Sequence, residues 1–201
     1  MFYPLMVDLK NKEVVIIGGG KVSLRKAKKF LEYEAVVKVV SLEVLESFYE
    51  IENLHEGKLT IIKDEFKSEY IDKAFLVIAA TSNYRLNESI SLICHDKNIL
   101  CNIVDNINKS SFIVPSTIKR GDLNIAISTL GNSPSLCAKI RKDLEKTYDK
   151  TYEEYVELLG ECRDLVLENY SDEVEKKSIL NSLVDLNSEE LKKLKIKLLS
   201  R

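Results

Sequence analysis

The glycine-rich segment at Gly18 is the clearest chemical signal in the sequence. In VVIIGGGKVS, Gly18 and Gly20 hold the first two positions of a G-x-G-x-x-G/A pattern and Ser23 holds the third. The first glycine permits a tight turn, the second lets the backbone approach a pyrophosphate, and a small third residue lets helix and strand pack together. Backbone N–H groups at the helix start, near Lys21 and Val22, would meet the anion at the positive end of the helix dipole. The segment therefore predicts a dinucleotide site, and the alternative is a purely structural glycine turn.

Further candidate contacts for a dinucleotide follow the second and fourth apolar runs. Glu43 either holds the ribose hydroxyl groups or begins the next helix, where an acid is equally favourable. No arginine follows the second run to receive a 2′-phosphate, so NAD is predicted in preference to NADP. The predicted cofactor-binding residues are Gly18, Gly19, Gly20, Lys21, Val22, Ser41, Leu42, Glu43, Ala80 and Thr81.

Asp105 follows the fifth apolar run, ILCNIV, and is the candidate catalytic residue. The end of this run is at the edge where the nicotinamide of a bound NAD would lie, and a carboxylate there would be placed to accept a proton. The alternative is a simple turn, because Asp105-Asn106 is a favourable turn sequence. The residues alone leave both interpretations open.

Short apolar runs alternate with amphipathic segments over the first hundred residues. This alternation predicts a parallel sheet with helices on both faces, and the carboxyl ends of its strands form the functional edge. The predicted strands cover residues 14–17, 37–40, 59–62, 75–80 and 99–104, and the predicted helices cover 21–33, 43–54 and 83–97.

The pattern changes after residue 105. Two β-prone runs, 112–118 and 123–128, predict a hairpin. Ser133 is the predicted N-cap of a helix that begins at Pro134. Residues from 149 onward are predicted to be helical, with Ser188 capping a last helix that ends at about Leu199.

Composition excludes several classes of protein. A formal net charge of −2 over 201 residues argues against a nucleic-acid-binding protein with an overall basic field. No apolar segment reaches the roughly 20 residues of a membrane span. The four cysteines lack zinc-site spacing, so buried free thiols are predicted and no metal site, with structural or solvent roles for His55 and His95. Reduced thiols without a secretory signal predict a cytoplasmic location.

Four segments together resemble the precorrin-2 dehydrogenase family, which also forms the N-terminal region of sirohaem synthases. They are PLMVDLKNKEVVIIGGGKVSLRKAKKFLE, LVIAATSNYRLNESI, CNIVD and SFIVPSTIKRGDLNIAISTLGNSPSLCAKIRKDLE, and the resemblance covers residues 2–148. The chain is similar to the stand-alone form without the methyltransferase of fused members. Thr129-Leu130-Gly131 stands where the family often has Ser-Gly-Gly, so a different loop shape is expected.

The resemblance implies a fold, an activity and an assembly. The implied fold is α/β: a Rossmann-type parallel sheet domain (1–112), a small α+β dimerisation domain (113–148) and a C-terminal helical region (149–201). The implied activity is NAD-dependent oxidation of precorrin-2 to sirohydrochlorin, in sirohaem or cobalamin biosynthesis, within a homodimer. Some members also insert ferrous iron. Asp105 matches the position of the family's important aspartate.

The implied substrate is a polycarboxylate, so its pocket should be basic and rich in hydrogen-bond donors. The candidate substrate-binding residues are Asn102, Arg120, Ser128 and Thr129, with further positive charge on Lys119, Lys139, Arg141 and Lys142. The alternative for each charged side chain is a solvated surface position.

Two rival functions remain open. One is an NAD-binding, redox-sensing regulatory module without turnover, and the other is a chelatase without dehydrogenase action. The hairpin and the helix after it are too short for an independent core, which also favours packing against a second copy.

Overall fold

The chain, of which the computed structural model describes residues 1–104 and 106–200, divides into two compact units. The first spans Met1–Val114 and the second begins at Pro115. The predicted scheme of three domains places its first boundary two residues earlier and separates 113–148 from 149–201. That finer scheme stays a prediction.

The first unit is built on a five-stranded parallel sheet in the order β3-β2-β1-β4-β5. The strands are β1 (Glu13–Ile17), β2 (Val36–Val40), β3 (Leu59–Ile62), β4 (Leu76–Ala79) and β5 (Leu100–Ile103). They are short runs dominated by apolar residues because both faces of a parallel sheet are covered by helices. The predicted α/β, Rossmann-type architecture is confirmed.

Helices pack on both faces of this sheet. Val14 and Ile16 of β1 lie in a cluster with Phe30 of α1, whereas Val15 and Ile17 lie in a second cluster with residues of α3. Alternate residues of one strand therefore face opposite layers, as the two-residue period of a strand requires. The helices are α1 (Lys21–Leu31), α2 (Ser47–Leu54) and α3 (Tyr84–Asp96), with 3-10 turns at Ser68–Ile71 and Ile107–Lys109.

The start of α2 differs from the prediction. The sequence pattern predicts a helix from residue 43, but the helix begins at Ser47. The segment before it is held to the glycine turn, where Leu45 N donates to Gly19 O at 3.1 Å. The alternative role of Glu43 as a helix start is therefore wrong.

The segment that follows β5 covers the outer edge of that strand. Cys101 N donates to Ser111 Oγ at 2.7 Å, and Ile103 N donates to Ser110 Oγ at 2.9 Å. Ser111 N returns a bond to Cys101 O at 2.8 Å. Two serine hydroxyls thus satisfy edge-strand N–H groups that would otherwise be free to pair with another chain.

The second unit contains an antiparallel hairpin and four α-helices. The elements are β6 (Ser116–Arg120), β7 (Leu123–Ile127), α4 (Pro134–Thr147), α5 (Thr151–Asn169), α6 (Glu173–Ser182) and α7 (Ser188–Leu199), with a 3-10 turn at Leu183–Asp185. The hairpin is confirmed, but its first strand begins at Ser116 and not at residue 112. Phe112 and Val114 pack against the core of the first unit instead.

Helix caps in the second unit follow local sequence. Ser133 Oγ accepts from Leu136 N at 3.2 Å, and Pro134 begins α4, as predicted. Asn187, and not the predicted Ser188, caps α7 through a capping box with Glu190.

The core of the second unit lies among its C-terminal helices and comprises Leu158, Cys162, Leu183 and Leu191. Among the described residues of the hairpin and α4, Ile118 is the one buried hydrophobic side chain. All four cysteines are free thiols, as predicted; three are buried and Cys137 is half-buried. Within residues 1–104 and 106–200, none of the helices combines the length and apolarity that a membrane crossing requires.

Candidate functional site

A cleft of about 760 Å³ lies at the carboxyl edge of the parallel sheet. This is the edge where ligands bind in open α/β sheets. Its described lining comprises Ile17, Gly18, Gly19, Gly20, Lys21, Val22, Val40, Ser41, Leu42, Asp64, Glu65, Phe66, Ala80, Thr81, Ser82, Asn83, Leu86 and Val104. The structure therefore brings together every predicted cofactor-binding residue except Glu43, which is not one of the described lining residues.

Glycine stands at the three positions of the turn for different physical reasons. Gly18 has φ +119°, and a Cβ there would lie 2.5 Å from Ala80 O. A Cβ at Gly19 would lie 2.0 Å from Glu43 O, so this residue must also be glycine. Gly20 has an ordinary φ of −85°, and a Cβ there would meet nothing within 4 Å. The protein's own packing accounts for the first two glycines, whereas Gly20 leaves open space beside the backbone.

Helix α1 begins at this open point with its positive end uncapped by a side chain. Gly20 is the N-cap, and the first turn, Lys21 to Leu24, contains no acidic residue. Unpaired N–H groups, the helix dipole and the Lys21 ammonium group all favour an anion here. The residues present fit the pyrophosphate of a nicotinamide dinucleotide. Ser23, at the third pattern position, is fully buried, as close packing of helix and strand requires.

The loop after β4 lies beside the glycine turn, lines the cleft and is ordered by a buried asparagine. Asn87 Oδ1 accepts from Thr81 N at 3.1 Å and from Thr81 Oγ1 at 2.7 Å, and Asn87 Nδ2 donates to Thr81 O at 3.0 Å. Asn83 caps α3 by accepting from Arg85 N and Leu86 N. Sequence reasoning missed Asn87, because a polar residue inside an amphipathic helix looks like a solvent-facing one.

The loop after β3 adds two carboxylates that sequence reasoning also missed. Asp64 and Glu65 line the cleft with Phe66. Hydrogen bonds from Lys67 and Tyr70 lower the pKa of the Asp64 carboxyl to about 2. The signal was present, since these residues follow the third predicted strand after a single intervening residue and so lie at the functional edge.

Asp105, the predicted catalytic residue, lies outside the described residues. Val104, which precedes it, lines the cleft, and Val104 N donates to Ala79 O at 3.1 Å.

Asn102, a predicted substrate ligand, is buried within the first unit. Its Nδ2 donates to Phe112 O at 3.1 Å, and its Oδ1 accepts from Lys26 Nζ at 3.2 Å. Burial, with a smaller effect of the Arg25 charge, lowers the pKa of Lys26 from 10.5 to about 8. The side-chain amide of Asn102 thus has partners within the protein at both its nitrogen and its oxygen.

The other predicted substrate ligands lie in the second unit and make local contacts there. Arg120 Nε donates to Tyr148 O at 3.0 Å. Ser128 Oγ accepts from Leu130 N at 3.0 Å, and Thr129 Oγ1 accepts from Ser133 N at 2.9 Å. Substrate binding by these residues stays a prediction.

Leu130, where the resembled family often has glycine, adopts the left-handed region with φ +52°. Leu130 therefore has a backbone conformation that glycine adopts more easily than leucine does, and the predicted difference in loop shape from the family stays a prediction.

Family models match both parts of the chain. A family described as putative NAD(P)-binding matches residues 5–116, and one described as sirohaem biosynthesis protein, central, matches residues 120–147. A precorrin-2 dehydrogenase of Methanosarcina barkeri is 39% identical over 184 residues, which cover 89% of this chain and 81% of that protein. The chain belongs to the precorrin-2 dehydrogenase family.

Other members of the precorrin-2 dehydrogenase family agree in sequence and in fold. The precorrin-2 dehydrogenase of Priestia megaterium is 32% identical over 184 residues, which cover 91% of this chain and 89% of that one. A solved structure of SirC, a precorrin-2 dehydrogenase, superposes with a TM-score of 0.77 at 27% identity and full coverage of both chains. The first unit is thus a nicotinamide-dinucleotide-binding domain of this family.

Proposed function

We propose that this chain catalyses the NAD-dependent oxidation of precorrin-2 to sirohydrochlorin. The observation that carries the proposal is the glycine turn. Protein atoms occupy the space beside the Cα atoms of Gly18 and Gly19, whereas the space beside Gly20, at the uncapped start of α1, is open. The names of the relatives from Methanosarcina barkeri and Priestia megaterium, and of SirC, supply the substrate.

The strand order gives the bound dinucleotide a direction. The pyrophosphate would lie over the turn after β1, and the adenosine ribose lies at the end of the second strand in such domains. In the order β3-β2-β1-β4-β5, the adenosine end therefore faces the loops after β2 and β3. The nicotinamide end faces the loops after β4 and β5, which contain Thr81 and Val104.

The reaction balances as precorrin-2 plus NAD⁺ giving sirohydrochlorin, NADH and a proton. When bound, the oxidised nicotinamide supplies the acceptor for a hydride. The chain's own residues would hold the pyrophosphate at Gly20 and Lys21, and Asn87 fixes the backbone at Thr81. We assign Asp105 as the proton acceptor, because it directly follows Val104 and matches the family's aspartate.

The proposed substrate is a polyanion, and we assign its binding to Arg120, Ser128 and Thr129. Family position alone adds Asn102, whose buried amide is bonded to Lys26 and Phe112 in this structure.

An open surface depression along α4 is lined by Lys139, Lys142 and Lys146, together with Asp143 and Glu145. Lys146 pairs with Asp143 at 3.8 Å, so Lys139 and Lys142 are the ammonium groups that support attraction of carboxylates to this unit.

A homodimer is also part of the proposal, because the hairpin and α4 bury so little apolar surface by themselves. Ferrous iron would be a second substrate if the chain also acts as a chelatase. The cytoplasmic location stays a prediction.

The deciding experiment mixes purified protein with NAD and precorrin-2 and follows absorbance at the nicotinamide and tetrapyrrole bands. Wild type should form NADH and sirohydrochlorin together, Asp105→Ala should lose turnover by at least about a hundredfold while still binding NADH, and Asp96→Ala should be unchanged. Asp96 is a suitable control because its side chain is 83% exposed at the end of α3.

The alternatives give different results in that experiment. Binding of NADH by wild type without turnover would indicate a redox-sensing module. Metal insertion into sirohydrochlorin that is independent of NAD, without oxidation of precorrin-2, would indicate a chelatase. Full turnover by Asp105→Ala would remove the assigned role of the aspartate.

A further inference from the structure

The loop after β3 places two carboxylates at one end of the cofactor cleft. Asp64 and Glu65 line the cleft with Ser41 and Leu42 of the neighbouring loop. The two loops are adjacent because β2 and β3 pair with Val40 opposite Ile62, and Ser41 N donates to Ile62 O at 3.1 Å. This end of the cleft is the adenosine end of the proposed dinucleotide.

Asp64 is held in a fixed orientation. Lys67 Nζ and Tyr70 OH each donate to Asp64 Oδ2 at 2.5 Å, and Glu65 N donates to Asp64 Oδ1 at 2.8 Å. With its pKa near 2, the carboxyl is ionised at every pH where the protein would work. Lys67 and Asp64 form an ion pair in which the two charges largely offset each other, so Glu65 contributes most of the net negative charge at this end of the cleft.

The positive charges near this end are directed elsewhere. Lys63 Nζ lies 5.2 Å from the centroid of the Tyr49 ring, and Lys63 is not one of the described lining residues. Lys21 lines the cleft at the start of α1, beside the proposed pyrophosphate position. Among the described lining residues of the β2 and β3 loops, the charged ones are therefore Asp64 and Glu65.

We infer that Asp64 and Glu65 make this chain select NAD over NADP. Their carboxylates can accept hydrogen bonds from ribose hydroxyl groups, whereas a 2′-phosphate would place roughly two further negative charges beside Glu65, which belongs to none of the described ion pairs. This inference rests on the proposed function, since it needs a nicotinamide dinucleotide in the cleft. It assigns the discrimination between NAD and NADP to the loop after β3 and not to Glu43, which the sequence suggested as the ribose ligand.

Direct titration of the purified chain with NADH and with NADPH, followed by nicotinamide fluorescence, tests the inference without any turnover. Wild type should bind NADH at least about tenfold more tightly than NADPH. Glu65→Gln and the double variant D64N/E65Q should tighten NADPH binding by about tenfold or more while NADH binding tightens less or weakens. Glu56→Gln is the matched control, because it removes the same charge from an exposed residue just before the opposite end of β3.

Each outcome has a definite meaning. If wild type binds neither cofactor, the proposed function fails. If it binds both equally, or if the charge-neutral variants keep the wild-type ratio of dissociation constants, the selectivity assignment fails and the proposed function stands. If D64N/E65Q does not fold, Glu65→Gln still tests the inference. Glu65 is exposed, and its replacement leaves the contacts of Asp64 with Lys67 and Tyr70 in place.

Discussion

Asn87 and Thr81 are joined by three hydrogen bonds, in which one buried side-chain amide binds the N–H, the carbonyl and the hydroxyl group of a single loop residue. Asn87 lies on α3 and is 3% exposed, whereas Thr81 lines the cofactor cleft. A helix that packs on the sheet therefore sets the position of the backbone that faces the ligand.

Replacement of Asn87 by alanine should weaken both folding and cofactor binding. The Thr81 groups would lose their partner, which costs about 1 to 3 kcal/mol of the free energy of unfolding, and the loop would no longer be preorganised. We expect the dissociation constant for NADH to rise about tenfold. Urea unfolding and fluorescence titration measure the two effects, with Asn181→Ala on the exposed face of α6 as control. Unchanged NADH affinity in a destabilised variant would show that the loop does not depend on Asn87.

The glycine turn offers a matched pair of substitutions. Gly18→Ala should prevent stable folding, because its Cβ would collide with Ala80 O at 2.5 Å in a backbone conformation with φ +119°. Gly20→Ala should cost less than about 1 kcal/mol of stability, since its Cβ meets open space.

Despite that small cost, Gly20→Ala should raise the dissociation constant for NADH by at least about tenfold, because the new methyl group occupies the approach to the pyrophosphate. Thermal unfolding and NADH titration of the same preparation separate the two effects. Normal NADH binding by Gly20→Ala would contradict the placement of the pyrophosphate.

Lys26 should make the stability of the protein depend on alkaline pH. The pKa of Lys26 is about 8 in the folded state and 10.5 for an ordinary solvated lysine, so between these values the unfolded state binds more protons. The free energy of unfolding should therefore rise with pH across this window, by about 1 to 3 kcal/mol. Below pH 8 the cost of the buried charge is present in full.

Lys26→Met removes this titration, so the difference in unfolding free energy between wild type and the variant isolates it from other groups. Urea titrations at several pH values from 7 to 10.5 would measure that difference. A constant difference across the window would mean that the Lys26 ammonium group is not desolvated.

Leu130→Gly should stabilise the chain. A leucine at φ +52° carries about 1 to 2 kcal/mol of strain that glycine lacks, and the greater flexibility of unfolded glycine offsets part of this gain. The expected net increase is about 0.5 to 1 kcal/mol in the free energy of unfolding. Leu130→Ala is the control: it removes the side chain, keeps the strain, and should give no increase. Equal effects of the two substitutions would contradict the backbone explanation.

A second copy of the chain is expected to cover α4 and the hairpin. Leu136 is 46% exposed on α4, so Leu136→Glu should weaken the predicted homodimer without unfolding the protein. Light scattering at micromolar concentration would measure the mass of wild type and variant. A monomeric wild type would rule out the dimer under these conditions.

The sheet was predictable because its strands are buried on both faces. An apolar run of four or five residues bounded by polar segments can adopt few structures other than a buried strand. The positions of Gly18, Ser41, Leu42 and Thr81 at one edge then follow from parallel topology. The onset of α2 was not predictable, because the hydrogen bond from Leu45 to Gly19 joins residues far apart in the sequence.

The site was predicted where a residue has an intrinsic signature and missed where only its neighbours give it a role. Gly20 belongs to a recognisable pattern. Asn87 acts through a loop six residues earlier, and Asp64 depends on Lys67 and Tyr70 for its orientation, so neither has a signature of its own. The substrate residues come from family resemblance, which assigns a position but not the hydrogen bonds that a side chain already makes, as Asn102 illustrates.

The serine hydroxyls along β5 have a consequence for behaviour at high concentration. An uncovered outer strand invites a strand from another molecule, which is a common first step toward fibrils and inclusion bodies. Ser110 and Ser111 occupy those sites with groups from the same chain. The edge of the sheet at β5 is therefore not available as a template for self-association.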